Sequence, residues 1–287
     1  MDEINPFNIS GSYVTPVSIH EPSEFIADVV DINYFHNRSA ILSPLLNRIF
    51  NEDCINGMRG IPDNSIDAVI TDPPYGIAKK NPLIGKSHGK IKTIDSAWDL
   101  FDSTKSFQSF TQEWLIQCLR VLKPNGSIAV WGNRVSIFDI QPVLSQYFPK
   151  FLDMFTWIKR DAPPNITQRG LAASTEFCLI YCKSETKWTF NGKELKKYNN
   201  GKQARNYLDI QRTMPANERT GHPTQKKIET QQFLVEMISN KGDIVLDPFI
   251  GSGTVPVACV KTDRNFIGFE KNKKYADIAV ERLKRIK

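Results

Sequence analysis

Asp72, Pro73, Pro74 and Tyr75 put a carboxylate, two residues without backbone N–H groups and an aromatic ring at consecutive positions. They follow an apolar run, Ile66–Thr71, that reads as a buried strand, and the two prolines end its ladder hydrogen bonds. The expected result is a stiff, exposed turn at a strand end. Its carboxylate and free carbonyls suit the two hydrogens of an amine, and its tyrosine offers a platform for a flat ring, a task that needs only the ring. The chemistry suggested is alkylation of an exocyclic amine on a nucleobase. The lone pair of such an amine is delocalised into the ring, so acceptors that localise it accelerate the reaction by positioning and electrostatics, without a covalent intermediate. The plainer alternative is a turn capped by an aspartate. By average residue usage this tetrapeptide arises by chance in roughly one chain in a thousand of this size, which favours the chemical role.

A second cluster comes late in the chain. Residues 243–246 form a strand candidate, and Asp247, Pro248, Phe249, Ile250, Gly251, Ser252, Gly253 and Thr254 make a glycine-bearing turn into a helix ending near Val260. Residues 266–269 are the next strand, which ends at Glu270. Strand, glycine turn, helix, strand, acid is the layout of a nucleotide-cofactor site, where glycines let the backbone approach the ligand and the acid receives ribose hydroxyls. The lysine of a phosphate-binding loop is missing, and Pro256 stands where the dinucleotide fingerprint has its third glycine. A cofactor with an adenosine end and no phosphates fits better, which points to S-adenosyl-L-methionine. For Asp247 a plain turn residue is the alternative.

Other elements must bring these two turns together. Residues 48–51 read as a strand leading to Asp53, residues 54–60 as a short helix, and residues 62–65 as the turn into the strand that delivers Asp72. A strand–helix–strand unit favours parallel pairing, with ligands beyond the carboxyl ends of the strands. Asp53 then shares an edge with Asp72 as a candidate ligand-binding acid, and helix capping is its alternative role. Helices are expected at 103–122 and 135–147, and strands at 127–131, 152–158 and 177–182. His222, Pro223, Thr224, Gln225 and Lys226 open a helix to about 238, and an amphipathic helix from 272 closes the chain.

Residues 1–46 read as an accessory arm with a docking helix at 23–35. Residues 79–92 carry five lysines and no acid, suited to gripping phosphates and closing over substrate, or simply a solvated loop. Residues 183–227 hold eleven Lys or Arg against four Asp or Glu, more than the net +6 of the whole chain. Trp188, Phe190, Tyr198 and Tyr207 are interleaved there, which makes this segment the best candidate for nucleic-acid contact, with a solvated insertion as the alternative.

The 287 residues, 40% hydrophobic, suffice for a full core. Five cysteines and no signal peptide suggest reduced thiols in a cytoplasmic protein, and no apolar stretch is long enough to cross a bilayer. Cys178 and Cys182 have no second pair and the four histidines are scattered, so no metal is expected.

Between about residues 48 and 285 this order of motifs resembles the S-adenosylmethionine-dependent DNA amino-methyltransferases, the N6-adenine and N4-cytosine methylases. It is similar to their beta group, in which the catalytic residues 72–75 precede the cofactor turn 247–254. The resemblance implies an α/β, Rossmann-like methyltransferase fold: a mostly parallel seven-stranded sheet, one strand antiparallel, helices on both faces, circularly permuted, with a DNA-recognition insertion. It divides the chain into an accessory arm (1–46), a catalytic half (47–182), a target-recognition insertion (183–221) and a cofactor half (222–287). By resemblance, Asp72, Pro73, Pro74 and Tyr75 hold a base flipped out of double-stranded DNA. Phe249, Gly251 and Gly253 line the methionine side of the cofactor, within the turn that includes Asp247, Ser252 and Thr254. Glu270 binds its ribose, Asp53 meets its adenine, and Thr224 and Lys226 approach its carboxylate. Asp at the first position of the catalytic motif goes more often with adenine N6 than with cytosine N4, which makes site-specific N6-adenine methylation the expectation. The alternatives are cytosine N4, an RNA or protein substrate, and a non-catalytic DNA-binding relative. A second copy of the chain and a cognate restriction endonuclease are further partners compatible with such an enzyme.

Overall fold

Ile66, Ala68, Val69 and Ile70 are all fully buried. A strand covered on both faces belongs inside a parallel sheet with helices on each side, and the surrounding elements supply that cover. The computed structural model describes residues 42–76, 99–165, 168–215, 218–220, 222 and 224–286. The expected docking helix at 23–35, the lysine-rich loop at 79–92 and Pro223 lie outside the described residues.

The strands are β1 (Arg48–Phe50), β2 (Ile66–Thr71), β3 (Leu122–Gly132), β4 (Lys150–Ile158), β5 (Thr175–Cys182), β6 (Tyr207–Asp209), β7 (Ile244–Asp247) and β8 (Asn265–Phe269). Among the described residues they form one sheet in the order β1-β8-β7-β2-β3-β5-β4-β6. β5 runs antiparallel to both of its neighbours, and every other pairing is parallel. β7 and β8, from the end of the chain, lodge between β1 and β2, which is the permuted layout expected. Seven strands were legible as apolar runs. The eighth, β6, is three residues long and lies in the polar basic segment, where no such run marks it.

The helices are α1 (Cys54–Arg59), α2 (Thr104–Val121), α3 (Ser136–Tyr147), α4 (Ile228–Ile238), α5 (Thr254–Lys261) and α6 (Lys273–Lys284). Strand alternation separates two cores. Val69, Ile128, Val130, Leu246 and Ile267 pack with Met58, Trp114, Leu115, Ile140 and Leu144 from α1, α2 and α3. Ala68, Ile70, Trp131, Val245 and Phe266 pack with Phe233, Leu234, Val255 and Ala258 from α4 and α5. Local signals set the helix starts: Ser103 and Ser106 form a reciprocal capping box on α2, and Asp53 caps α1 by accepting from Ile55 N at 3.1 Å.

Two features differ from the sequence expectation. β3 starts at Leu122, and residues 123–126 bulge within it: Ile66 pairs with Leu122, yet Ala68 already pairs with Ser127. Pro124 has no N–H for the ladder, which accounts for reading this stretch as a stop. The basic segment, expected as an insertion, also contributes to the sheet. β6 pairs with β4, Leu195 is buried, and Lys197 and Tyr198 bond Glu236 of α4 at 2.6 and 3.0 Å. All five cysteines are buried and unpaired, and among the described residues no helix is long and apolar enough to cross a membrane.

Gly268 of β8 tests this packing. An added Cβ would stand 1.8 Å from Ile250 Cδ1 and 2.4 Å from its Cγ1. Gly268→Ala should therefore cost about 1–3 kcal/mol of stability, read as a lower urea midpoint. An unchanged midpoint would contradict the close contact between β8 and the turn carrying Ile250.

Candidate functional site

Because β1, β8, β7 and β2 are parallel neighbours, their carboxyl ends share one edge of the sheet. There the chain leaves them as Asp53, Glu270, the turn beginning at Asp247, and Asp72. A cavity of about 520 Å³ opens at this edge, a size within the usual range of small-ligand sites. Every residue singled out from the sequence as a site residue lines it except Gly253. Gly253 instead begins α5 at φ +77°, and an added Cβ would come within 2.8 Å of Ala279 Cβ. Backbone conformation and helix packing are reason enough for a glycine at this position, apart from the cofactor-lining role expected of it.

On the cofactor side, Asp247 ties the two central strands. Its Oδ1 accepts from Thr71 Oγ1 at 2.8 Å and from Phe249 N at 3.1 Å. Burial pushes its carboxyl up to about 7 even though both hydrogen bonds pull the other way. Gly251, at φ +54°, donates its N–H to Glu270 Oε2 at 2.9 Å, and Asn272 N donates to Oε1 at 2.7 Å. Burial raises the Glu270 carboxyl against the pull of these two donors. Asp53 both lines the cavity and caps α1, and it pairs with Lys271 at 3.3 Å. Arg282 of α6 donates to Ser252 O at 3.1 Å and to Thr254 Oγ1 at 3.0 Å, bracing the turn from behind.

The other side is built around Lys226. Only 5% exposed, it reaches Asp72 Oδ2 at 2.6 Å, Tyr75 Oη at 2.9 Å and Glu176 Oε2 at 3.0 Å. Tyr75 donates its hydroxyl to Asp72 Oδ1. Glu176 Oε1 in turn receives Lys159 Nζ at 3.0 Å. Burial alone would lower the Lys226 ammonium, but Asp72 and Glu176 outweigh it and raise the pKa. Burial pushes the Asp72 carboxyl up; Lys226 opposes this and Glu176 adds to it. Burial, then Asp72, holds the Tyr75 phenol well above its usual range.

Two expectations change here. Lys226 was expected beside Thr224 at the cofactor carboxylate, but its ammonium lies on Asp72. α4 packs on β2, so the residues leading into α4 pass the end of that strand. Tyr75 was expected to need only its ring, yet its hydroxyl belongs to the ion-pair network. Sequence reasoning also missed Glu176, although an acid heading an aromatic strand was a readable signal. Asp99 gave none; its buried Oδ1 accepts from the N–H groups of Tyr75 and Gly76 at 2.6 and 2.7 Å and sets the turn after the prolines.

Known proteins resemble this chain in sequence and in fold. A family model described as DNA methylase matches residues 66–281. The type II methyltransferase M.HinfI of Haemophilus influenzae is 32% identical over 259 residues, covering 86% of this chain and 70% of that protein. The type II methyltransferase M2.MboI of Moraxella bovis is 34% identical over 247 residues, covering 83% and 88%. Among solved structures, the M1.HpyAVI–SAM complex superposes with a TM-score of 0.62 at 28% identity, covering 82% of this chain and 98% of that one. The cytosine-N4-specific PvuII DNA methyltransferase has a TM-score of 0.65 at 18% identity, covering 82% and 85%, a likeness of fold alone.

His222 supplies a test of the site's electrostatics. It packs edge-on to Tyr275 at 4.3 Å, and burial together with Lys226 holds its imidazole down from 6.5 to about 4. Between those values the unfolded chain binds the proton and the folded one does not, so stability should fall as pH drops from about 6.5 to 4. An NMR titration should place the His222 midpoint near 4. A midpoint near the ordinary histidine value would contradict the buried placement beside Lys226.

Proposed function

The chain belongs to the DNA methylase family of N6 and N4 amino-methyltransferases, and from that premise we propose that it methylates adenine N6 at specific sites in double-stranded DNA. The observation that carries this proposal is the ion pair of Asp72 with the buried Lys226, one hydrogen bond away, through Thr71 and Asp247, from the glycine turn. S-adenosyl-L-methionine is the methyl donor, and the residues present suit it. Gly251 brings backbone to the cavity wall, Phe249 and Phe269 give apolar surface, and Glu270 presents a carboxylate at the end of the neighbouring strand. When bound, the donor supplies a methyl group on a sulfonium, and the S–C bonding pair stays on sulfur as the amine lone pair forms the N–C bond.

The chain's own residues do the rest. Asp72 and the Pro73 carbonyl accept the two amine hydrogens, localising the nitrogen lone pair, while the Tyr75 ring stacks on the base. The proton lost from nitrogen passes to Asp72. Extruding the base costs a few kcal/mol, offset by stacking and by hydrogen bonds worth about 1.5–3 kcal/mol each where Asp72 is charged. Burial pushes the Asp72 carboxyl up, and Lys226 opposes that push. Glu270 takes the ribose, Asp53 the adenine edge, and Thr224 the carboxylate end of the donor. Residues 183–221, with their excess of Lys and Arg, are the target-recognition region. A second copy of the chain and a cognate endonuclease are partners this function accommodates.

Incubation with unmethylated genomic DNA and labelled S-adenosylmethionine, followed by nucleoside analysis, should give N6-methyladenine; label in N4-methylcytosine would overturn the base assignment and keep the mechanism. Asp72→Ala should lose transfer by at least a thousandfold with cofactor affinity, read by calorimetry, nearly unchanged. Equal loss of both would contradict the role of Asp72. Tyr75→Phe should slow transfer about tenfold, because it removes a hydroxyl bonded to a charged group; an unchanged rate would reduce Tyr75 to a stacking surface.

A further inference from the structure

Both oxygens of Asp72 are already engaged: Oδ1 by the Tyr75 hydroxyl and Oδ2 by Lys226 at 2.6 Å. An amine hydrogen can be accepted along one of these directions only if a donor gives way. The Lys226 ammonium is buried, so leaving Asp72 without another partner would strand a charge away from water. Glu176 provides that partner. Its Oε2 is buried and stands 3.0 Å from Lys226 Nζ, without the geometry of a hydrogen bond and, among the described residues, with no other hydrogen-bond donor upon it. Its Oε1 is held by Lys159, whose ammonium also lies over the Trp157 ring at 5.9 Å from the centroid. The four side chains therefore alternate in sign, Lys159, Glu176, Lys226 and Asp72, across the ends of β4, β5 and β2.

We propose that Glu176 is a positioning residue that takes over the Lys226 ammonium when the target amine docks on Asp72, and holds it while Asp72 carries the proton released by methyl transfer. The inference rests on the function proposed above. The transfer is balanced: the amine lone pair forms the N–C bond, the S–C pair returns to sulfur, and the N–H pair stays on nitrogen as its proton moves to Asp72. At that point Asp72 is neutral, and Lys226 would face a neutral acid were Glu176 absent. With Glu176 present, the ammonium keeps a carboxylate throughout, and the move is short because it already touches both.

The groups facing Asp72 are Tyr75 on its own turn, Lys226 ahead of α4, Glu176 and Cys178 on β5, and Asp247 on β7. Glu176 pushes the Asp72 carboxyl upward. Removing its charge should lower the pH at which Asp72 protonates.

The test compares wild-type protein with Glu176→Gln and Glu176→Asp in single-turnover transfer from labelled S-adenosylmethionine to unmethylated genomic DNA across pH, with cofactor affinity by calorimetry and a thermal melt. Glu176→Gln should slow transfer at least tenfold, leave cofactor affinity within threefold, and move the acid limb of the rate profile to lower pH. Glu176→Asp should recover part of the rate. A wild-type rate and pH profile in Glu176→Gln, or a loss of cofactor affinity in step with rate, would overturn the proposal. Should Glu176→Gln fail to fold, Glu176→Asp decides: an intermediate rate supports the transfer of Lys226 and a wild-type rate refutes it. Absence of label in DNA with wild-type protein would remove the underlying function and this inference with it, whereas label in both proteins at equal rates would remove the inference alone.

Discussion

A lysine ammonium that is 5% exposed has to be neutralised where it stands, and the site is arranged around that requirement. Asp72 comes from the end of β2, Glu176 from the start of β5, Lys159 from just beyond β4, and Lys226 itself from the approach to α4. The antiparallel course of β5 is what brings its first residues to the edge where its neighbours β3 and β4 end. One polar cluster thus depends on the order and direction of four sheet elements. Because either carboxylate left alone would be costly to bury, the cluster also constrains how those elements meet.

The same edge holds the glycine turn. β7 lies directly against β2, with Ala68 opposite Val245 and Val69 opposite Leu246, so Asp72 and Asp247 leave adjacent strands although 175 positions separate them. The Thr71–Asp247 hydrogen bond closes the gap between the strand ends. A methyl donor seated in the turn and an amine held by Asp72 would then occupy neighbouring parts of one cavity. Proximity of this kind is what transfer without a covalent intermediate requires.

Much of this was legible in the sequence because it rests on local signals. Apolar runs marked seven strands, and the two motif-bearing turns carried residues whose only economical use together is at a ligand. The resemblance to DNA amino-methyltransferases then supplied the permuted order. What escaped depended on partners distant in the chain. Glu176 stood at the head of an aromatic strand, but nothing near it in sequence points to Lys226. Lys226 sat inside a recognisable motif expected at the cofactor carboxylate, but the motif alone did not show that the packing of α4 on β2 puts its ammonium on Asp72. Gly253 looked like its neighbour Gly251, yet only the approach of Ala279 from α6 distinguishes a packing glycine from one at the cavity wall. β6 was too short and too polar to announce itself.

The arrangement of the site requires Lys226 to serve Asp72 and not the methyl donor. Lys226→Met can be measured in one calorimetric titration with S-adenosylmethionine, set beside the single-turnover methyl-transfer rate of the same preparation. The account predicts a dissociation constant within about threefold of wild type and a rate reduced by two orders of magnitude or more, since a charged partner of a buried carboxylate is lost. A donor affinity that falls in step with the rate would contradict it and return Lys226 to the cofactor carboxylate.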